Sequence, residues 1–200
     1  MSARHFLPKL FASGLLIAAA LAPAAAQATA PATTGGLPLT AELLLTPEFC
    51  NTEFKKGSWA TIKENFHVGA TACSEIENGL TPVFSKLTRV ESPPTPLDAQ
   101  ILLTPRFVDV AATTGVTAFS NRELHVVVEW TAKDASGKLV WIETVEGTAT
   151  RHMGNVFTYN KNLHHIVDEA IQDAVARAAD KMLASRELQK LGNPPSGDTR

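Results

Sequence analysis

The chain has 200 residues, with 18 basic and 20 acidic side chains and a formal net charge of −2. Proteins that bind nucleic acid draw most of their affinity from clustered Lys and Arg side chains on phosphate groups. This acidic balance argues against nucleic acid as a partner.

Residues 1–28 have the pattern of a cleavable secretory signal peptide. Arg4 and Lys9 precede an apolar run over 10–21, and Ala26 and Ala28 each end a small-x-small cleavage site. The run is too short for a membrane helix, which needs about 20 apolar residues. Removal of 1–28 takes away two basic residues and no acidic one, so the net charge becomes about −4. We expect a soluble periplasmic or secreted protein, cleaved after Ala26 or Ala28.

The composition of the remaining chain predicts one folded domain between two disordered ends. Residues 29–40 are rich in Ala, Thr, Pro and Gly, and residues 192–200 read GNPPSGDTR, so we predict a disordered leader and a disordered tail. The intervening 41–191 is long enough for a single domain with a hydrophobic core.

The domain contains both cysteines of the chain, Cys50 and Cys73. A cysteine pair in an exported protein usually forms a disulfide. Redox-active pairs are typically C-x-x-C, a motif that is absent here. We therefore predict a structural disulfide, with two buried thiols or a redox pair as the alternatives.

The first half of the domain predicts three strands and one helix. A Leu-rich strand over 41–49 is followed by a long irregular connection over 51–66. Strands over 86–91 and 99–110 flank the proline-rich turn 92–98. A helical stripe, interrupted by a glycine and a proline, precedes them and consists of Ala70, Cys73, Ile76, Leu80, Val83 and Phe84.

The second half predicts a hairpin and a long helix. Residues 123–133 alternate between apolar and polar side chains, and the turn 134–137 leads to a returning strand. A symmetric loop would place Trp130 opposite Trp141. A bulge at Gly137 would place Trp130 opposite Ile142 and keep Glu143 off the core side, so we favour the bulge. The final helix starts near the cap Asn162 and ends near Gly192.

These elements, in the order β-α-β-β-β-β-α, predict an α+β two-layer sandwich with two helices on one face of a largely antiparallel sheet. A right-handed crossover through the first helix makes the second strand parallel to the first. On this topology 51–66 shares one end of the sheet with the turns 92–98 and 134–137. The segments 111–122 and 150–162 share the other end.

The candidate chemical groups do not assemble into a known site. His164 and His165 are adjacent on a helix and point about 100 degrees apart, which is unsuited to binding one metal ion. Glu143 and Glu146 lie three residues apart on a strand and face opposite sides. Nucleophile elbows and phosphate loops are absent. We predict no catalytic residue, metal site or cofactor, and hence no enzymatic activity.

The segment 51–66 is the strongest candidate for partner binding. It is longer than most connections and interleaves Phe54, Trp59 and Phe66 with Lys55, Lys56 and Lys63. Such a loop is suited to a partner protein or to anionic lipid headgroups. The alternative is that the aromatic side chains cap the core while the lysines stay in water. The segment 152–159, HMGNVFTY, has the same character and the same alternative.

The strand LLTPRFVDV, the hairpin EWTAKDASGKLVWIET and the Ala-rich final helix resemble the periplasmic auxiliary lipoproteins of ABC-type transport systems. The resemblance covers about 41–190, and the chain lacks the lipidated cysteine of that family. It implies a non-enzymatic partner of an envelope transport or assembly complex, with envelope proteins as partners. The alternatives are a periplasmic hydrolase or small-ligand protein with a pocket between sheet and helices, and a secreted structural or stress protein.

Overall fold

The computed structural model describes residues 36–57, 63–113 and 120–193, and at 56–57 and 63–64 the backbone alone. The predicted signal peptide 1–28 and most of the predicted tail lie outside these residues. The described residues form a five-stranded sheet, a two-stranded sheet and several helices, which confirms the α+β class. The elements are β1 (Leu37–Leu44), α1 (Pro47–Cys50), β2 (Phe54–Gly57), β3 (Lys63–Phe66), α2 (Val68–Leu80), a 3-10 turn (Thr81–Val83), β4 (Phe84–Val90), β5 (Ile101–Ala112), β6 (Asn121–Asp134), β7 (Leu139–His152), α3 (Tyr159–Ala184) and α4 (Arg186–Gly192).

Strand β1 begins and ends earlier than the sequence predicts. It starts at Leu37, inside the segment expected as disordered leader, because Leu37 and Leu39 alternate with exposed or half-buried neighbours and are themselves buried. It stops at Leu44, since Thr46 and Pro47 begin the one-turn helix α1. The Thr46 hydroxyl accepts a hydrogen bond from the Phe49 N–H at 3.2 Å, as an N-cap residue does.

The disulfide between Cys50 and Cys73 joins α1 to α2. The Cα atoms of the two cysteines are 5.6 Å apart, within the range of an ordinary disulfide. Helix α2 buries Cys73, Ile76 and Leu80 of the predicted stripe, whereas the predicted Ala70 is exposed and Ala72 is buried instead. The interruption predicted at Pro82 is the 3-10 turn that leads into β4.

The five strands lie in the order β4-β1-β5-β6-β7. Strand β1 is parallel to β4, which confirms the predicted crossover through α2. Strand β1 is also parallel to β5, whereas β5, β6 and β7 form an antiparallel meander. The sheet is thus antiparallel over its longest pairings and parallel around β1.

The proline-rich segment 91–100, where a turn was predicted over 92–98, contains neither helix nor strand but is a crossover and not a tight turn. It connects β4 to β5, which lie on opposite sides of β1 and run in the same direction. The handedness of crossovers places this segment on the face opposite α2. The side chains of Glu42 and Leu44 project to that face and are buried, which agrees with this path.

This crossing reverses the predicted direction of every later strand. Strand β5 is parallel to β1, and two antiparallel pairings make β7 parallel to β1 as well. Strands β1 and β7 therefore finish at the same end of the sheet. The segment 51–66, which follows β1, therefore shares one end of the sheet with 153–158, which follows β7. The turn 134–137 lies at the opposite end, so the predicted grouping of the loops was wrong.

Both predicted registers of the β6–β7 hairpin were wrong. Trp130 pairs with Glu143, and Ala132 pairs with Trp141. The register shifts between Ala132 and Lys133, so the irregularity lies beside the turn and not at Gly137. Glu143 consequently faces the helices, where its Oε1 lies 3.2 Å from the Nζ of Lys181. The ion pair makes this position acceptable to a carboxylate.

Helix α3 packs on β6 and β7 through small side chains. At Gly147 the approach is so close that an added Cβ atom would lie 2.1 Å from the Ala170 carbonyl oxygen. The helix begins at Tyr159, three residues before the predicted cap Asn162, and ends at Ala184. The chain then restarts as α4, with the Ser185 hydroxyl accepting a hydrogen bond from the Leu188 N–H.

Candidate partner-binding surface

The loop 153–158 is held in one shape by its own side chains. The Asn155 carboxamide oxygen accepts a hydrogen bond from the Phe157 N–H at 3.0 Å, and the Thr158 hydroxyl accepts one from the Asn155 N–H at 3.0 Å. The Asn162 amide donates to the carbonyl groups of His152 and Met153, both at 3.1 Å. Asn162 thus fixes the loop from within α3, instead of capping the helix as predicted.

Two apolar side chains project from this loop into solvent. The Phe157 side chain is 93% exposed and that of Val156 is 69% exposed, whereas Met153 is fully buried and anchors the loop to the core. Gly154 permits the reversal because its φ angle is +76°, a conformation that favours glycine. A fixed loop that presents a phenylalanine to water is typical of a binding surface.

The predicted irregular segment 51–66 contains the antiparallel hairpin β2–β3. Phe54 pairs directly with Phe66, and their ring centroids are 5.9 Å apart. Phe66 is 1% exposed and belongs to the core, and Phe54 packs partly buried against it. For these two aromatic residues the structure favours the alternative in which they cap the core.

The three lysines of this hairpin, Lys55, Lys56 and Lys63, differ in their positions. The Lys55 ammonium lies in solvent, 3.2 Å from the Glu53 carboxylate, which is also 3.1 Å from the His67 ring. Hydrogen bonds from Asn65 and Lys55 lower the pKa of Glu53, so the carboxylate is charged and offsets the lysine. Lys56 and Lys63 occupy the strands near the tip, and Trp59 lies outside the described residues.

We call the β2–β3 hairpin together with the loop 153–158 the hairpin end. The hairpin lies beyond the end of β1, and the loop follows the end of β7. These two strand ends are at the same end of the sheet, and β3 packs against α3. The sequence identified both segments separately. It did not bring them together, because the crossing of 91–100 over β1 leaves no local signal.

The remaining candidate groups lie apart from one another. His164 is exposed and His165 contacts Asp168 at 4.0 Å. Glu143 and Glu146 face opposite sides of the sheet, as predicted, but Glu143 faces the helices, against the favoured register. Within 36–57, 63–113 and 120–193, no group of three His, Cys, Asp or Glu side chains could hold a metal ion.

The sequence analysis missed a cluster around His125 on the helix-free face of the sheet. The His125 Nδ1 lies 2.6 Å from Glu146 Oε1, and its Nε2 lies 3.2 Å from Glu123 Oε1. The hydrogen bond to Glu146 and the charge of Glu123 raise the pKa of His125. The spacing of Glu123 and His125 puts both on one face, but Glu146 joins them only through the observed register.

Comparisons with known proteins give a likeness in fold. No protein-family model matches the sequence, and no curated protein matches it. A protein of the DUF330 family from Xanthomonas campestris superposes with a TM-score of 0.54 at 7% identity, covering 76% of this chain and 87% of that one. A minor lipoprotein from Acinetobacter baumannii superposes with a TM-score of 0.48 at 11% identity, covering 74% and 92%. The chain therefore shares its fold with the DUF330 protein.

Proposed function

We propose that this protein is a periplasmic, non-enzymatic binding module of a cell-envelope complex, and that it contacts an envelope protein through the hairpin end. The observation that carries the proposal is the 93% exposure of Phe157 on a loop fixed by hydrogen bonds. Exposed aromatic side chains on ordered loops lose little conformational entropy when a partner covers them, so they contribute strongly to binding.

The periplasmic location is supported by the signal pattern of 1–28 and by the Cys50–Cys73 disulfide, which suits an oxidising compartment. Among the described helices, none is long and apolar enough to cross a membrane. An intact-mass measurement on the native protein is expected to give an oxidised chain cleaved after Ala26 or Ala28. An uncleaved chain with two thiols would refute this location.

A role beside a transport system is the finer part of the proposal. It is supported by the sequence resemblance to transport-associated auxiliary lipoproteins. Such a role requires a surface that binds a protein and no catalytic group. The layers of the sandwich are in contact at Gly147, which leaves no room for a ligand at that point.

Photo-crosslinking tests the surface directly. A photoreactive phenylalanine analogue at position 157 is expected to form a discrete adduct with one envelope protein in native membranes. The same analogue at Val108, which is 50% exposed on β5, is the matched control and should form none. Adducts to lipid alone would identify a membrane-binding loop instead. Equal labelling from both positions would refute the proposed surface.

A further inference from the structure

Glu42 is a buried carboxylate that lacks a partner. It lies in the second half of β1, and only 6% of the residue is exposed. Among the residues that the structure describes, none hydrogen-bonds the buried Oε2 atom of Glu42 or forms an ion pair with its carboxylate. Glutamate is almost never buried unless it is paired, because removing its charge from water is costly. The carboxylate is therefore a candidate for binding a ligand.

The segment 91–100, which we call the strap, covers Glu42. The last residue of β4 pairs with Leu44, and the first residue of β5 pairs with Ala41. The strap therefore leaves the sheet beyond the level of Glu42 and returns to it before that level. Since the strap crosses β1 on the helix-free face, to which Glu42 projects, the carboxylate lies beneath it.

The strand beside Glu42 and the strap above it offer oxygen atoms that are not hydrogen-bonded. Thr88 pairs with Glu42 on β4, and no described residue hydrogen-bonds the Thr88 hydroxyl. Three residues of the strap are prolines, which have a carbonyl group but no N–H to donate. The carbonyl groups of 92–99 accept no hydrogen bond from the described part of the chain.

The basic residues of β4 do not neutralise Glu42. Lys86 lies two residues before Thr88 on the same face, but it is exposed and forms no ion pair with Glu42. Arg89 projects to the other face, where it lies 3.6 Å from Glu77. A buried carboxylate beside hydroxyl and carbonyl oxygen atoms is suited to a cation that prefers oxygen ligands.

We propose that Glu42 and the strap form a calcium site of low affinity. Ca²⁺ takes about six to eight oxygen ligands from carboxylates, carbonyl groups and water, in a flexible geometry. Glu42 and Thr88 would supply side-chain ligands, and the strap would supply carbonyl oxygen atoms. A site with one carboxylate differs from a group of three His, Cys, Asp or Glu side chains, which the described residues lack. With so few charges, its Kd should fall in the range of extracellular calcium modules, about 10⁻⁴–10⁻³ M.

Bound calcium would attach the middle of the strap to the sheet. The backbone of the strap is hydrogen-bonded near its two ends, where the Leu45 N–H donates to Val90 and the Gln100 N–H donates to Thr40. Between these ends, the described residues form no hydrogen bond with 92–99. A cation held by Glu42 and by strap carbonyl groups joins the two layers, so calcium should stabilise the folded chain.

Titration with calcium chloride tests the site. The native protein, freed of divalent cations with a chelator, is expected to gain about 3–6 °C in Tm at about 10 mM calcium. Magnesium chloride at the same concentration should give a much smaller gain, because Mg²⁺ demands octahedral geometry and keeps its waters. In NMR spectra, calcium should shift the amide signals of Glu42, Thr88 and the non-proline residues of 92–99. The signals of the hairpin end should not move.

Variants identify the ligands. Glu42→Gln should fold and lose the calcium response, and Thr88→Val should weaken calcium binding about threefold or more. Asp109→Asn removes an exposed carboxylate from β5 and is the charge-matched control, with an unchanged response. If Glu42→Gln does not fold, the map of amide shifts in the native protein decides. No response at about 10 mM calcium, an equal response to magnesium, a response retained in Glu42→Gln, or amide shifts outside the strap and its neighbours would each overturn the proposal.

Discussion

Trp130 and Glu143 lie directly opposite each other in the β6–β7 hairpin, and both face the helix layer. Trp130 is 1% exposed, whereas the Glu143 carboxylate reaches the partly exposed Lys181 on α3. An acidic residue can stand beside a core tryptophan because a helix side chain neutralises it at the border of the core. The Glu143–Lys181 pair thus connects the register of the β6–β7 hairpin to the position of α3.

The Glu143–Lys181 ion pair is expected to contribute little stability by itself. Both side chains keep a third or more of their exposure, and pairs of this kind typically contribute about 0–1 kcal/mol. A double-mutant cycle with Glu143→Ala and Lys181→Ala, measured by urea unfolding, should give a coupling energy in that range. A coupling of several kcal/mol would indicate that the pair is effectively buried and is needed for the register.

The disulfide is expected to contribute more. It closes a loop with a sequence separation of 23 residues, for which the chain-entropy model gives about 3 kcal/mol. Reduction should lower Tm by about 6–12 °C in a domain of this size. Calorimetry with and without reductant measures the shift. The Cys50→Ala/Cys73→Ala variant is the control and should not respond to reductant, and a native protein equally unresponsive would contradict the prediction.

Two phenylalanines from the two candidate segments should behave oppositely. Phe66→Ser removes a core side chain that is 1% exposed and should cost about 3–5 kcal/mol of unfolding free energy. Phe157→Ser removes a side chain that is 93% exposed and should change stability by about 0.5 kcal/mol or less. With the photoreactive analogue placed at Val156 instead, which is 69% exposed on the same loop, Phe157→Ser should nevertheless abolish the crosslinked adduct. Destabilisation by Phe157→Ser would mean that the loop supports folding and not binding.

The pKa of His125 should be raised from its ordinary value, because Glu146 and Glu123 favour the charged form of the ring. Its raised folded pKa adds stability that is fully present below the unfolded pKa and is lost as pH rises through the folded pKa. NMR titration of the His125 ring should show a lower pKa in Glu146→Gln. Glu143→Gln alters the opposite face of the same strand and should leave the value unchanged. Equal shifts in both variants would show a general charge effect.

The features that depend on local patterns in the sequence were predicted correctly. The alternation of Leu124, Val126 and Val128 identifies the buried face of β6, and the small residues near Ala170 and Ala174 identify the face of α3 that packs on the sheet. The disulfide partners follow from cysteine count and compartment. The parallel pairing of β1 with β4 follows from the handedness of a helix crossover.

The sequence could not predict relationships between distant segments. Nothing in SPPTPLD distinguishes a turn from a crossing over β1, although the two put the later loops at opposite ends of the sheet. The pairing of Trp130 with Glu143 depends on an irregularity at Lys133, and a carboxylate on the helix side looks unfavourable until Lys181 is placed. The hairpin end depends on the crossing over β1, and the His125 cluster depends on the register of the β6–β7 hairpin.

The position of β1 between β4 and β5 has a consequence for folding. Its neighbours arrive late in the chain: Thr40 hydrogen-bonds Gln100, which is 60 residues away, and β4 lies beyond all of α2. Contacts of such long range slow folding, because the chain entropy of a large loop is lost before the strands pair. During synthesis the Leu-rich β1 is made before β4 and β5, so it stays unpaired until both strands are available. We expect unpaired β1 to be the segment that chaperones must bind and that starts aggregation when folding is delayed.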